Sequence, residues 1–224
     1  GAFSKTNHFG QKVIFQHFIA FYGFAPNLGL NSCNIGFCFW FQSLKFCIFS
    51  FYVYFAAHGG VRSGVKHIKR RYLPGIADGS LRLQAFGVTE PTSGTDTTAL
   101  RTTARLEGDQ YIINGQKIWT SRAEHSDLMI LLCRTTPKEE VAKRTEGLSV
   151  LLVDMREVKG KSLTVRPIRT MMNHSTTELF FDNMPVPAEN LIGEEGKGFR
   201  YILSGMNAER ILIAAECVGD AKWF

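Results

Sequence analysis

The stretch DQYIINGQKIW, Asp109 to Trp119, sets apolar residues on both sides of an Asn-Gly pair. Asn-Gly is the favoured pair for a two-residue type I′ turn, because both central residues must take a positive φ. The spacing therefore predicts a hairpin of strands Tyr111–Asn114 and Gln116–Ser121, turning at Asn114-Gly115. Working outward, short apolar runs bounded by turn residues predict strands at Arg82–Val88, Leu100–Leu106, Asp127–Arg134, Leu148–Asp154, Leu163–Ile168 and Thr177–Asp182. Short strands with turns between them point to an antiparallel barrel or sandwich. The charged run Thr135–Gly147 reads as a solvated excursion between strands.

Helical patterns flank the strands. KHIKRRYLPGIADG (Lys66–Gly79) reads as the end of a basic amphipathic helix, a break at Pro74-Gly75, and an Asp-Gly turn. Val186–Gly198 reads as a linker, and a helix begins near Gly198. On that helix Ile202, Met206, Glu209, Ile213 and Glu216 step by four and three, which places them on one face. Two carboxylates interrupt an apolar stripe. They either pair at its edge with Arg210 or a neighbour, or include a partly desolvated carboxylate able to act as a base.

The fold class expected is thus an α+β fragment, an antiparallel β-barrel or sandwich middle domain flanked by remnants of two helical domains. The boundaries expected are 1–57 for an anomalous segment, 58–80 for the helix end, 81–192 for the β domain and 193–224 for the final helix.

Composition supports this division. The 224 residues carry a net charge of +6. Residues 1–77 hold eight Lys and Arg and no acid, while the rest holds 18 basic and 20 acidic residues. The excess charge belongs to the N-terminal third, so it gives no reason to expect nucleic acid as a partner of the β domain. Thirteen of the 18 Phe lie in residues 1–57. Ile35–Ala57 has the length of a membrane span but carries Lys45 near its middle and lacks helical periodicity. Three readings of this segment stay open: translated non-coding sequence, favoured by residues that share T-rich codons; a membrane anchor; or an unusual soluble segment. The five Cys have neither C-x-x-C spacing nor a nearby His pattern, which argues against a metal site or a disulfide framework.

Chemistry concentrates in two places. AFGVTEPTSGTDTTAL (Ala85–Leu100) follows a strand with six hydroxyl side chains around Gly94. Successive backbone N–H groups with nearby hydroxyls can cradle a phosphate or the rim of a heterocycle. Equally, Ser/Thr/Gly stretches serve as plain turns. QKIWTSRAEHSD (Gln116–Asp127) ends a strand on Trp119, Thr120 and Ser121, which could flank a flat aromatic cofactor. His125 and His174 are lone histidines and read as structural.

From about Lys66 to Phe224 the chain resembles the acyl-CoA dehydrogenases, in the strings RRYLPGIADG, FGVTEPTSGTD, YIINGQKIWTS, ELFFDNMPVPAENLIGEEGKGF and NAERILIAAECVGD. The resemblance implies a β domain between two helical bundles and FAD-dependent oxidation of an acyl-CoA thioester to 2-enoyl-CoA. It implies that Phe86, Val88, Thr89, Gly94 and Thr95 line the flavin, with Thr95 also near substrate. It places Trp119 beside the ring, Thr120 next to it, and the Ser121 hydroxyl near the reacting flavin nitrogen. Thr95 stands where the family usually has Ser, and Arg122 where it usually has Asn. Glu209 matches the catalytic base of the isovaleryl and long-chain branches, or else is an acid behind it. Asn207 and Arg210 match residues near substrate. The implied partners are acyl-CoA, an electron-transferring flavoprotein as electron acceptor, and further copies of the chain. The compartment could be mitochondrial, peroxisomal or bacterial cytoplasmic. Alternatives are an acyl-CoA oxidase, a truncated chain without catalysis, and a membrane-anchored β-module. Even under the dehydrogenase reading the 224-residue chain is expected to show no turnover, because the family holds its flavin partly through C-terminal helices and a neighbouring subunit.

Overall fold

The computed structural model describes residues 63–171 and 175–223. The Phe-rich segment 1–57, with its three readings, and His174 lie outside the described residues. Among the described residues no helix is long and apolar enough to cross a membrane.

The elements run α1 (Ser63–Ala77), β1 (Leu83–Gly87), β2 (Thr103–Glu107), β3 (Gln110–Ser121), β4 (Leu128–Arg134), β5 (Leu148–Asp154), the short α2 (Met155–Val158), β6 (Leu163–Pro167), β7 (Thr176–Pro187), β8 (Leu191–Ile192) and α3 (Gly198–Trp223). The strands form one open mixed sheet in the order β6-β7-β3-β2-β4-β5-β8, with β1 paired to β4. Most ladders are antiparallel, as expected, but β1 runs parallel to β4 and one bridge joins β2 to β4 in parallel.

Strands β4 and β5 are buried along their whole length. Alternation still operates there, with both faces covered. Met129, Leu131, Cys133, Leu151 and Val153 point into a core shared with Tyr111, Ile113, Leu179, Phe181 and Met184. Leu128, Ile130, Leu132, Leu148, Val150 and Leu152 point the other way, to Tyr72 of α1 and Ile202 of α3. Each fully buried aliphatic side chain contributes about 1.5–3 kcal/mol relative to exposure.

The Asn114-Gly115 hairpin does not form. β3 runs through both residues, and the turn lies earlier, at Gly108-Asp109, where Glu107 pairs with Gln110 and Gly108 takes φ +62°. Asn114 instead spends its amide on β7: its Oδ1 accepts from the Asn183 N–H at 2.9 Å, and Asn183, at φ +44°, is part of a register shift. Gly115 is required for a different reason. Its φ is +145°, and a Cβ there would lie 2.7 Å from the Thr102 Cα. Positive φ and close backbone approach are features of bulges as well as of turns, so the dipeptide alone does not separate the two.

The break at Pro74 is also absent, because α1 continues through Pro74 to Ala77. Ile68, Tyr72 and Ile76 pack together against the second core, and that packing outweighs the one hydrogen bond Pro74 cannot make. Gly75 allows Leu81 to pack directly against the helix, since a Cβ would lie 2.8 Å from its Cδ1. The linker expected at Val186–Gly198 holds the end of β7 and the short β8. The excursion after Thr135 is closed at its base by the Thr135 and Thr136 N–H groups, both bonded to the Gly147 carbonyl.

Candidate functional site

The two chemistry-bearing segments meet at one backbone hydrogen bond. Ile118 of β3 donates its N–H to the Thr89 carbonyl at 2.9 Å. The Ala85–Leu100 stretch is thereby joined to the end of β3, one residue before Trp119.

Beneath this contact lies a buried ion pair. Lys117 Nζ donates to Glu90 Oε1 at 2.8 Å and to the Val88 carbonyl at 3.0 Å. The Lys117 side chain is 0% exposed and that of Glu90 4%. Glu90 also accepts from the Arg101 N–H at 2.6 Å and the Thr102 N–H at 2.9 Å, where the loop ends. Burial pushes the Glu90 carboxyl up, but Lys117 and the Arg101 N–H bring it net below the usual carboxylate range. Burial pulls the Lys117 ammonium down, while Glu90 favours its charge. The pair holds both ends of the loop.

Within the loop Glu90 and Ser93 exchange backbone bonds at 3.2 and 3.1 Å. Ser93 donates its hydroxyl to the Asp96 carbonyl, and Thr98 donates its N–H and hydroxyl to the Asp96 carboxylate. Arg134, buried under the far end, donates to the Thr98 carbonyl at 2.8 Å. Two of the six hydroxyls therefore build the loop itself. Gly94 and Thr95 are exposed at its rim, and Phe86, Val88 and Thr89 are half-buried. Among the described residues beyond its two chain neighbours, no heavy atom lies within 4 Å of where a Gly94 Cβ would sit, so there is open space beside the backbone there.

At the end of β3 the strand changes parity. Lys117 pairs with Leu179 and Thr120 with Thr177, so β3 carries one residue more than β7. Trp119 takes φ +61°, a costly conformation for a bulky side chain. The bulge turns Trp119 outward, 58% exposed, and Thr120 inward, 2% exposed. Ser121 is exposed again. The expected trio is thus divided. Trp119 and Ser121 are exposed to solvent, whereas the Thr120 hydroxyl is buried with no hydrogen-bond partner among the described residues. The bulge thus gives Thr120 a different orientation from its two neighbours. Arg122, also left-handed at φ +61°, donates from Nε to Gln84 Oε1 on β1 at 2.8 Å and so ties the strip to the strand before the loop.

The helical residues are less completely defined. Asn207 and Glu209 lie on α3, and their side chains are outside the described residues. Arg210 and Glu216 are exposed, Ile202 is buried and Met206 half-buried. Beyond Met206 on the expected apolar stripe, Ile213 is 54% exposed among the described residues. His125 sits in a short 3-10 turn, apart from the loop.

Sequence reasoning passes over Glu90 and Lys117. A signal existed: Lys117 shares the inward parity of Tyr111 and Ile113, where a lysine needs a charged partner.

Residues 85–184 match the family model described as acyl-CoA dehydrogenase, middle domain. The chain is 39% identical over 152 residues to the acyl-CoA dehydrogenase FadE26 of Mycobacterium tuberculosis, covering 68% of this chain and 37% of that protein. It is 39% identical over 160 residues to a short-chain-specific acyl-CoA dehydrogenase of Clostridium acetobutylicum, covering 71% and 41%. The crystal structure of an acyl-CoA dehydrogenase from Geobacillus kaustophilus superposes with a TM-score of 0.63 at 36% identity, over 71% of this chain and 40% of that one. The chain therefore spans about two fifths of the length of these relatives. Residues 85–184, which carry the loop and the bulged strand end, are thus similar to the middle domain of the acyl-CoA dehydrogenases.

Proposed function

We propose that this β domain binds FAD and serves the α,β-dehydrogenation of an acyl-CoA thioester to 2-enoyl-CoA. The observation that carries the reading is the Ile118–Thr89 hydrogen bond, which brings the loop and the Trp119 strip together. Their residues fit a flat heterocycle with a phosphate tail. Trp119 offers an exposed aromatic face, and the open backbone at Gly94-Thr95 offers N–H donors.

In this reading Phe86, Val88 and Thr89 border the ring, Gly94 and Thr95 receive the phosphate and the edge of the substrate, and Ser121 donates its hydroxyl to the ring. Thr120 contributes backbone only. Bound FAD supplies the acceptor for the substrate β-hydride. Glu209 takes the α-proton, a task suited to a carboxylate in a dry pocket. Asn207 and Arg210 flank it on the same helix and orient the thioester. The partners this reading implies are an electron-transferring flavoprotein, which would serve as electron acceptor, and further copies of the chain.

The test is reconstitution. The chain is mixed with FAD and passed through gel filtration, and its visible spectrum is recorded. Co-elution of flavin with the protein is expected, with loss of the flavin on Trp119→Ala. Free elution of FAD from a chain whose β-structure is intact by circular dichroism overturns the reading. In a chain extended to the length of its relatives, Glu209→Gln is expected to keep the flavin and to abolish its reduction by acyl-CoA.

A further inference from the structure

The Ile118 N–H points away from the β3–β7 ladder, and Lys117 beside it reaches under the loop rather than into the core. These two facts have one geometric consequence. The height of the loop above β3 is set by Lys117 through two contacts, the Val88 carbonyl at 3.0 Å and Glu90 Oε1 at 2.8 Å. Glu90 carries the constraint onward to the Arg101 and Thr102 N–H groups, so both ends of the loop hang on one ammonium. We propose that Lys117 and Glu90 are positioning residues that fix the gap between the Thr89–Thr95 rim and the Trp119 shoulder, the gap a planar ring would occupy.

What occupies the gap rests on the FAD reading above; that the pair sets the gap does not. Neither residue touches the ligand in this account. A lysine needed only for stability could be replaced, together with its partner, by uncharged residues of similar volume at little cost. For a positioning lysine the double replacement can restore stability but not the placement of the loop, because the Val88 carbonyl and the Ile118–Thr89 bond lose their support.

The experiment compares amide hydrogen exchange in the 224-residue chain, Lys117→Met and the double variant Glu90→Gln/Lys117→Met, with FAD titrations in parallel. In the double variant, at least tenfold faster exchange is expected at Ile118, with Leu131 and Leu151 amides unchanged, and FAD affinity at least tenfold weaker. Lys117→Met is read in the same way where it folds. Unchanged exchange at Ile118 overturns the proposal, and so does equal acceleration at Ile118, Leu131 and Leu151, which marks a purely global role. An unsubstituted chain that ignores FAD defeats the cofactor reading alone, because the Ile118 result still decides whether the pair positions the loop.

Discussion

Lys117 and Glu90 meet at 2.8 Å with almost no side-chain surface exposed to water. Removing one member leaves an uncompensated buried charge, which typically costs about 3–5 kcal/mol. Lys117→Met is therefore expected to lower stability by that order in denaturant unfolding. Glu90→Gln/Lys117→Met should recover part of the loss, because it removes both buried charges, while the single Gln amide oxygen replaces only one of the two carboxylate oxygens that accept from the Arg101 and Thr102 N–H groups. A double variant no more stable than Lys117→Met would contradict this.

The same pair sets an acid response. Glu90 has a folded-state pKa below its usual value, with Asp154 shifted the same way: burial raises Asp154, and Arg156 more than offsets it. A depressed carboxylate contributes stability that is present above the unfolded pKa and lost as pH falls through the folded one. The thermal midpoint should hold above roughly pH 5 and fall below it. Glu90→Gln should make the acid limb shallower; a limb of unchanged slope would show that Glu90 does not contribute to it.

Trp119 combines a left-handed backbone with an exposed ring. A non-Gly residue in that region costs on the order of 1–3 kcal/mol, and an exposed ring returns little of it. Trp119→Gly is expected to be neutral or stabilising by up to about 1 kcal/mol while FAD binding is lost. Destabilisation by several kcal/mol would show that the Trp119 ring supports the fold.

Gly115→Ala meets a positive φ and the Thr102 backbone at once. A loss of about 1–3 kcal/mol is expected, in the range of overpacking. Stability equal to the parent would show that β3 and Thr102 can separate freely.

The parts legible in the sequence were those set by local pattern. β5 was readable to the residue, and β1, β4 and β6 to within one or two, because buried alternation between turn residues has few other solutions. The loop and Trp119 stood out because hydroxyl-rich turns and strand-end aromatics are chemically unusual. What failed depended on long-range contacts. Asn114-Gly115 carries the signal of a turn, and only the bulge at Asn183 and the approach of Thr102 show otherwise. That Thr120 turns inward between Trp119 and Ser121 is not visible in the sequence, because the inserted residue that turns it is defined only against β7. Lys117 and Glu90, 27 residues apart, reveal their pairing only when the loop folds onto β3.

The central claim, that the loop and the strand end together hold a flavin, is tested most directly by titrating the isotope-labelled chain with FAD and following backbone amide resonances. The account predicts saturable shifts at Thr89, Gly94, Thr95, Trp119 and Ser121, with the amides of Leu131 and Leu151 still. Shifts confined to the separate cavity around Arg82, His125 and Lys159, or none at all, would contradict it.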